Sequence, residues 1–341
     1  MSAAVKKSGS AVVEPDRLEP FSSPRDVDRV FGHDEAAQEF EEALRSGRLH
    51  HAWLLVGPEG IGKATLAYRL ARTILAHAEA GDLIPGEPGD VATDHPVFRK
   101  VARLAHPNLL LIRRSWVEKT KRYSQVISVD EVRRLRAFLG STAGDGAWRV
   151  VIVDRADQLN QNAANALLKA LEEPPPSTLF LLVSSAEGSL PVTIRSRTRV
   201  LRLAPLADAP LAEAVRAALA RDEIEADEKT LGLAMALSQG STRRALELVT
   251  SEGIALYDQI VATLAALHAQ YWESPALESE LDWLATPVSG DRAANPAPWR
   301  PAHRQHVSVA RVAGWVPRLA AHGEGALGAR LHLCLLYTSD A

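Results

Sequence analysis

Apolar positions between residues 50 and 204 follow two alternating rhythms. Trp53–Val56, Asn108–Ile112, Val150–Asp154 and Thr178–Val183 are short apolar runs, the pattern of strands buried on both faces, and Val200–Leu203 predicts one more. Between the runs, apolar residues return every three or four positions. Leu66, Leu70, Ile74 and Leu75 form one such stripe, and Val132, Leu135, Phe138 and Leu139 a second. Ala163, Ala166, Leu167, Ala170 and Leu171 form a third, in a helix that Asn160 opens and Pro174–Pro176 stop. An acidic first turn at Asp34 opens a helix to Leu44, and Ser128 with Glu131 is a capping box. Strand and helix in alternation predict a mostly parallel α/β sheet, with its ligand at the carboxyl ends of the strands.

Beyond Leu206 the strand pattern stops. Helical stripes at Pro210–Ala220, Glu228–Leu237 and 240–248 predict a small helical domain over 206–252. Further helices at Ala255–Tyr271 and Leu277–Leu284, with a Pro- and Gly-containing break at Pro287–Pro301, predict a C-terminal helical domain over 253–333. The α/β domain then occupies 21–205. Residues 1–20 have the Ser- and Pro-containing composition of a disordered tail, and Gly81–Pro96 that of a loop. The ending Cys334–Ala341 resembles a translated sequencing adapter, so it is kept out of the fold and the C-terminal domain is expected to be truncated.

Composition narrows the classes. With 341 residues, 46% hydrophobic and 24% charged, the chain suits two or three globular domains. A net charge of −3 exerts no overall pull on nucleic acid. The N-terminus lacks an apolar signal region, and no apolar run approaches the length needed to span a membrane, so a cytoplasmic protein without a membrane partner is expected. One cysteine, Cys334, excludes a disulfide framework and a multi-cysteine zinc site. Between Lys100 and Arg136 ten basic residues face Glu118, Asp130 and Glu131, which leaves open both a duplex-backbone contact and a solvated face. His50 and His51 are not expected to bind metal, because strand neighbours point to opposite faces and no third ligand is near.

The candidate chemistry begins where the first strand runs into Gly57-Pro-Glu-Gly60-Ile-Gly62-Lys63-Ala64-Thr65. A glycine-rich turn between a strand and a helix lets backbone N–H groups cradle phosphate, and Lys63 reaches the terminal phosphates. The pattern requires Ser or Thr after the lysine as a Mg²⁺ ligand; here the residue is Ala64, and Thr65 sits about 100° further round the helix. Asp154, at a strand end, matches the carboxylate that positions the metal's water shell. Arg155 follows it where an ATP-hydrolysing site carries a glutamate, and a guanidinium cannot act as a base. Glu172 and Glu173, consecutive at a helix end, point apart and do not form an acid–base pair.

With the P-loop before it and Ile194-Arg-Ser196-Arg197 after it, the helix Asn162–Glu173 resembles that of bacterial clamp-loader subunits of the AAA+ superfamily, the delta-prime family in particular. The resemblance covers roughly residues 25–250. It implies an AAA+ fold and assembly with tau/gamma-type and delta-type subunits. It also implies loading of a sliding clamp on primed DNA. Arg197 would be an arginine finger completing a neighbour's ATP site, Arg243 a sensor-2 arginine, and Ser184 or Ser185 would lie near sensor 1. ATP or ADP is the ligand class implied for Gly57, Gly60, Gly62, Lys63, Ala64, Thr65, Asp154 and Arg243. Ala64 and Arg155 point to a site that does not hydrolyse it, and Gly81–His106 has no cysteine for the family's zinc module. The alternative is an active tau/gamma-type ATPase tolerant of both departures.

Overall fold

The computed structural model describes residues 14–79, 91–140, 148–251 and 253–272, with side-chain surroundings as far as Thr263. The expected helix at Leu277–Leu284, the break at Pro287–Pro301 and the ending from Cys334 lie outside the described residues.

Helix α1 (Asp34–Arg45) precedes strand β1 (Ala52–Val56), and helix α2 (Lys63–Glu79) leaves the P-loop. A short α3 (Pro96–Ala102) leads to β2 (Leu109–Ile112). Two-residue strands β3 (Trp116–Val117) and β4 (Arg122–Tyr123) form an antiparallel pair that the sequence pattern does not reveal. Two residues carry no readable period; the pair closes through Lys121 at positive φ and an edge-on contact of Trp116 with Tyr123 at 5.2 Å. Then follow α4 (Val129–Gly140), β5 (Arg149–Asp154), α5 (Gln161–Glu172), β6 (Thr178–Ser184), the short α6 (Val192–Arg195) and β7 (Arg199–Arg202).

The five long strands are parallel, in the order β2-β5-β6-β1-β7. Side chains alternate across each strand, so a continuous apolar run feeds two cores. Trp53, Leu55, Ile152, Leu181 and Leu201 pack on one face against Phe40 of α1 and Leu66, Leu70 and Ile74 of α2. Leu54, Val151, Val153, Phe180 and Leu182 pack on the other against Val132 of α4 and Leu167 of α5. Within the α5 stripe, Ala163, Leu167 and Leu171 are buried while Ala166 and Ala170 are half-buried. Helix α5 begins as the sequence suggests: the Asn160 side chain accepts from the Ala163 N–H at 2.8 Å.

His50 and His51 precede β1, so strand alternation does not govern them. Their rings stack with centroids 4.4 Å apart, correcting the expectation that they face apart. One nitrogen of each ring meets a backbone carbonyl, His50 Nδ1 that of Ala52 at 2.8 Å and His51 Nε2 that of Leu171 at 3.1 Å.

Residues 14–20 differ from the tail that composition suggests. Glu14 ion-pairs with Arg25 and Arg113, and Asp16 with Arg113, so opposite charges tie the segment down. Residues 1–13 lie outside the described region.

The chain after β7 is helical. Helix α7 (Asp208–Arg221) and residues 238–247 group with the sheet in one compact unit. Helix α8 (Glu228–Leu237) and residues from Leu248 form the other. Helix α9 (Thr242–Thr250) starts in the first unit and ends in the second, and α10 (Gly253–Trp272) belongs to the second. There Lys229 of α8 approaches Asp258 of α10 at 3.8 Å. Among the described residues no helix is long and apolar enough to cross a membrane.

Candidate nucleotide site

Strand register assembles the site. Val56 pairs with Ser184, Val183 with Asp154, and Val153 with Ile112. The P-loop after β1, Asp154 ending β5, Ser184 ending β6 and Arg113 after β2 therefore share the carboxyl edge of the sheet, where parallel α/β folds bind ligands. They border a cavity of about 240 Å³ that Gly60, Gly62, Lys63, Ala64, Thr65, Asp154, Ser184, Ser185 and Arg243 line.

The loop is shaped by what passes close to it. A Cβ on Gly57 would lie 2.3 Å from the Leu203 carbonyl oxygen, so only glycine lets the backbone after β7 run alongside β1. Gly60 has φ +80°, and a Cβ there would meet Ser241 Oγ at 2.3 Å and Arg243 Cβ at 2.6 Å. The loop is thus packed against the start of α9. The Arg243 N–H donates to the Gly60 carbonyl at 3.1 Å, and Ser241 Oγ donates to the Glu59 carbonyl at 2.9 Å.

His33, which the sequence pattern leaves unmarked, also pins the loop. Its Nε2 lies 2.6 Å from the Ile61 carbonyl oxygen, and burial holds the imidazole below its ordinary pKa. The neutral ring therefore donates through Nε2. Its signal in the sequence was only the turn Phe31-Gly32-His33, which predicts a helix start and no long-range contact.

Lys63 is 7% exposed and donates to the carbonyls of Gly57 at 2.6 Å and Pro58 at 2.5 Å. Burial pushes its ammonium down to about 8. Asp154, also buried, is pushed up to about 6, by burial first and then by the nearby Asp16 carboxylate. Arg155 adopts a left-handed φ of +67° and turns its guanidinium to Glu59 at 3.0 Å, across the mouth of the P-loop. The position after Asp154 thus presents a cation that is already engaged.

The remaining candidates separate. Ser184 is buried and donates to the Ala186 carbonyl at 2.8 Å, while Ser185 donates to Asp157 at 2.7 Å. Arg243 pairs with Glu247 at 2.9 Å and lines the cavity. Arg197 does not line it. It sits just beyond α6 on the surface, held by Glu172 at 3.0 Å and by the Thr193 carbonyl at 2.9 Å. Glu172, with no acid–base partner in the sequence reading, is therefore the anchor of the candidate finger. In the basic stretch, Lys121, Arg133 and Arg134 pair with Glu118, Asp130 and Glu131, and Arg113 with Glu14 and Asp16.

The residues present fit phosphate: a glycine turn, a buried lysine and the first turn of α2 converge on the cavity. They do not supply the hydroxyl that Mg²⁺ takes in such loops, because a methyl stands at Ala64. Among the described residues, no cluster of three His, Cys, Asp or Glu can hold a metal ion.

A parallel sheet in this order, a P-loop entering the helix after its first strand, and an arginine reaching the loop from the helical segment define an AAA+ P-loop module. The profile of the family described as "DNA polymerase III, delta subunit" matches residues 32–207, and the chain belongs to that family. It is 35% identical over 246 residues to DNA polymerase III subunit delta' of Pseudomonas aeruginosa, covering 69% of each chain. It is 34% identical over 263 residues to the subunit of that name in Escherichia coli, 73% of this chain and 72% of the other. Against the Escherichia coli subunit tau it is 30% identical over 243 residues, 71% of this chain but 35% of tau.

Proposed function

We propose that this chain is the delta-prime-type subunit of a DNA polymerase III clamp loader, helping to place a sliding clamp on primed DNA. It assembles with tau/gamma-type and delta-type subunits in the cytoplasm. It hydrolyses no ATP itself and offers Arg197 to ATP held by a neighbouring tau/gamma-type subunit.

The carrying observation is the separation of two half-sites. The P-loop pocket has a methyl at Ala64 and an engaged cation at Arg155, whereas Arg197 stands outside that pocket on the surface. An exposed Arg–Glu pair contributes at most about 1 kcal/mol, so Glu172 can release the guanidinium to a stronger anion at small cost. A guanidinium offered in trans stabilises the charge developing on a transferred phosphoryl group.

Arg197→Ala is expected to cut ATP hydrolysis by the reconstituted loader at least about tenfold, a lower bound well under the roughly 10³–10⁵-fold that such fingers supply, with subunit assembly intact. Unchanged ATPase in the assembled complex would overturn the finger role. The similarity to tau favours one rival, an active tau/gamma-type motor. Turnover by the purified chain alone, abolished by Lys63→Ala, would establish that rival instead.

A further inference from the structure

We propose that residues 14–22 form an acidic strap across the nucleotide site, a built-in occupant that nucleotide must displace to reach the P-loop. The proposal rests on the nucleotide-site reading above and adds a regulator of that same site.

Three sets of contacts place the strap. Pro15, Asp16, Leu18, Phe21 and Ser22 line the cavity together with the P-loop. At one end, Asp16 Oδ1 accepts from Arg113 at 2.8 Å and Glu14 from Arg113 at 3.0 Å. Arg113 directly follows β2, on the same strand edge as Asp154. The Asp16 carbonyl lies 3.5 Å from Arg243 Nη1, and the Arg243 backbone N–H is bonded to the loop at Gly60. At the other end, the Ser22 N–H and hydroxyl both donate to Asp222 of the segment after α7, at 3.0 and 2.5 Å. The strap therefore runs from the end of β2 past the start of α9, along the cavity that the P-loop also lines.

Charge makes this contact competitive with nucleotide. The Asp16 side chain is 4% exposed, and its Oδ2 is buried without a hydrogen-bond partner. An unsatisfied carboxylate oxygen beside the loop repels a polyphosphate, since like charges in a poorly solvated site are costly. Its carbonyl also sits by Arg243, a cation expected to meet phosphate. Displacement breaks ion pairs at Glu14 and Asp16, which the P-loop's own contacts to phosphate must exceed.

The test uses a fluorescent ADP analogue with the full-length chain, the double variant Glu14→Gln/Asp16→Asn, and a variant lacking residues 1–17. Both variants are expected to bind at least about tenfold more tightly than wild type, because like-charge repulsion and strap displacement no longer oppose binding. In wild type, saturating ADP should raise hydrogen exchange of the backbone amides from Arg17 to Ser22, apart from Pro20. Equal affinities, or ADP bound with unchanged exchange there, would overturn the strap. If the deletion does not fold, the double variant decides alone. ATP turnover keeps the two readings apart: strap variants that bind tightly without hydrolysing support both. Variants that bind tightly and hydrolyse support the strap and overturn the silent site.

Discussion

Lys63→Met should make the protein more stable at neutral pH and remove a pH dependence that runs opposite to that of a lysine paired with an acid. In the folded chain the ammonium is 7% exposed, and burial lowers its pKa from 10.5 to about 8. A group whose folded pKa lies below its unfolded value binds its proton more weakly in the native state. Below about pH 8 both states are protonated and the folded state bears the whole penalty. Between about pH 8 and 10.5 the folded state loses its proton first, so stability rises with pH; above that window the penalty is gone. A difference of about 2.5 pKa units corresponds to about 3 kcal/mol at about 1.4 kcal/mol per unit. Methionine keeps the aliphatic stem but leaves the Gly57 and Pro58 carbonyls without this donor, costing about 1 kcal/mol. The net gain at pH 7 is therefore about 2 kcal/mol. Urea unfolding of both proteins at pH 7, 8.5 and 10 measures it. The wild type should close on the variant across that range, since only it carries the titrating ammonium. Parallel pH profiles would refute the reasoning. A buried lysine kept at such a cost fits the proposed phosphate site.

Gly60→Ala should destabilise the first unit by at least about 2 kcal/mol, from the left-handed φ and the overlap with Ser241 and Arg243, read as a shifted denaturation midpoint. Arg113→Ala leaves Glu14 and Asp16 without that cation. A double-mutant cycle with Asp16→Ala should give a coupling of about 1–3 kcal/mol, and a value under about 0.5 would show the pair to be incidental. Ala64→Ser, placed in a strap-free background, should make nucleotide binding Mg²⁺-dependent, seen as affinity that falls on adding a chelator. Glu172→Ala should shift the denaturation midpoint negligibly, because the pair with Arg197 is exposed.

The sequence by itself determined the sheet and its ligand edge. Four short apolar runs and one mixed run became the five parallel strands, within a residue or two at their ends, because runs buried on both faces have no other stable home. A local pattern marked the P-loop and Asp154, a family resemblance marked Arg243, and the fold brings them to one cavity. What sequence could not supply were contacts between residues far apart in the chain whose partners carry no motif. Arg113 meets Glu14 and Asp16 across nearly a hundred residues, His33 meets Ile61, and Glu172 meets Arg197. The stacking of His50 on His51 and the short β3–β4 pair were hidden for a related reason: both lie where no strand or helix period operates. Composition marked residues 14–20 as a tail because charge and proline content describe solvation, not partners. Only tertiary structure brought those acids to Arg113 at the strand edge and gave them a cation to bind. The P-loop was visible from its glycines, but that an acidic segment of the same chain lines the same cavity was decided by the fold.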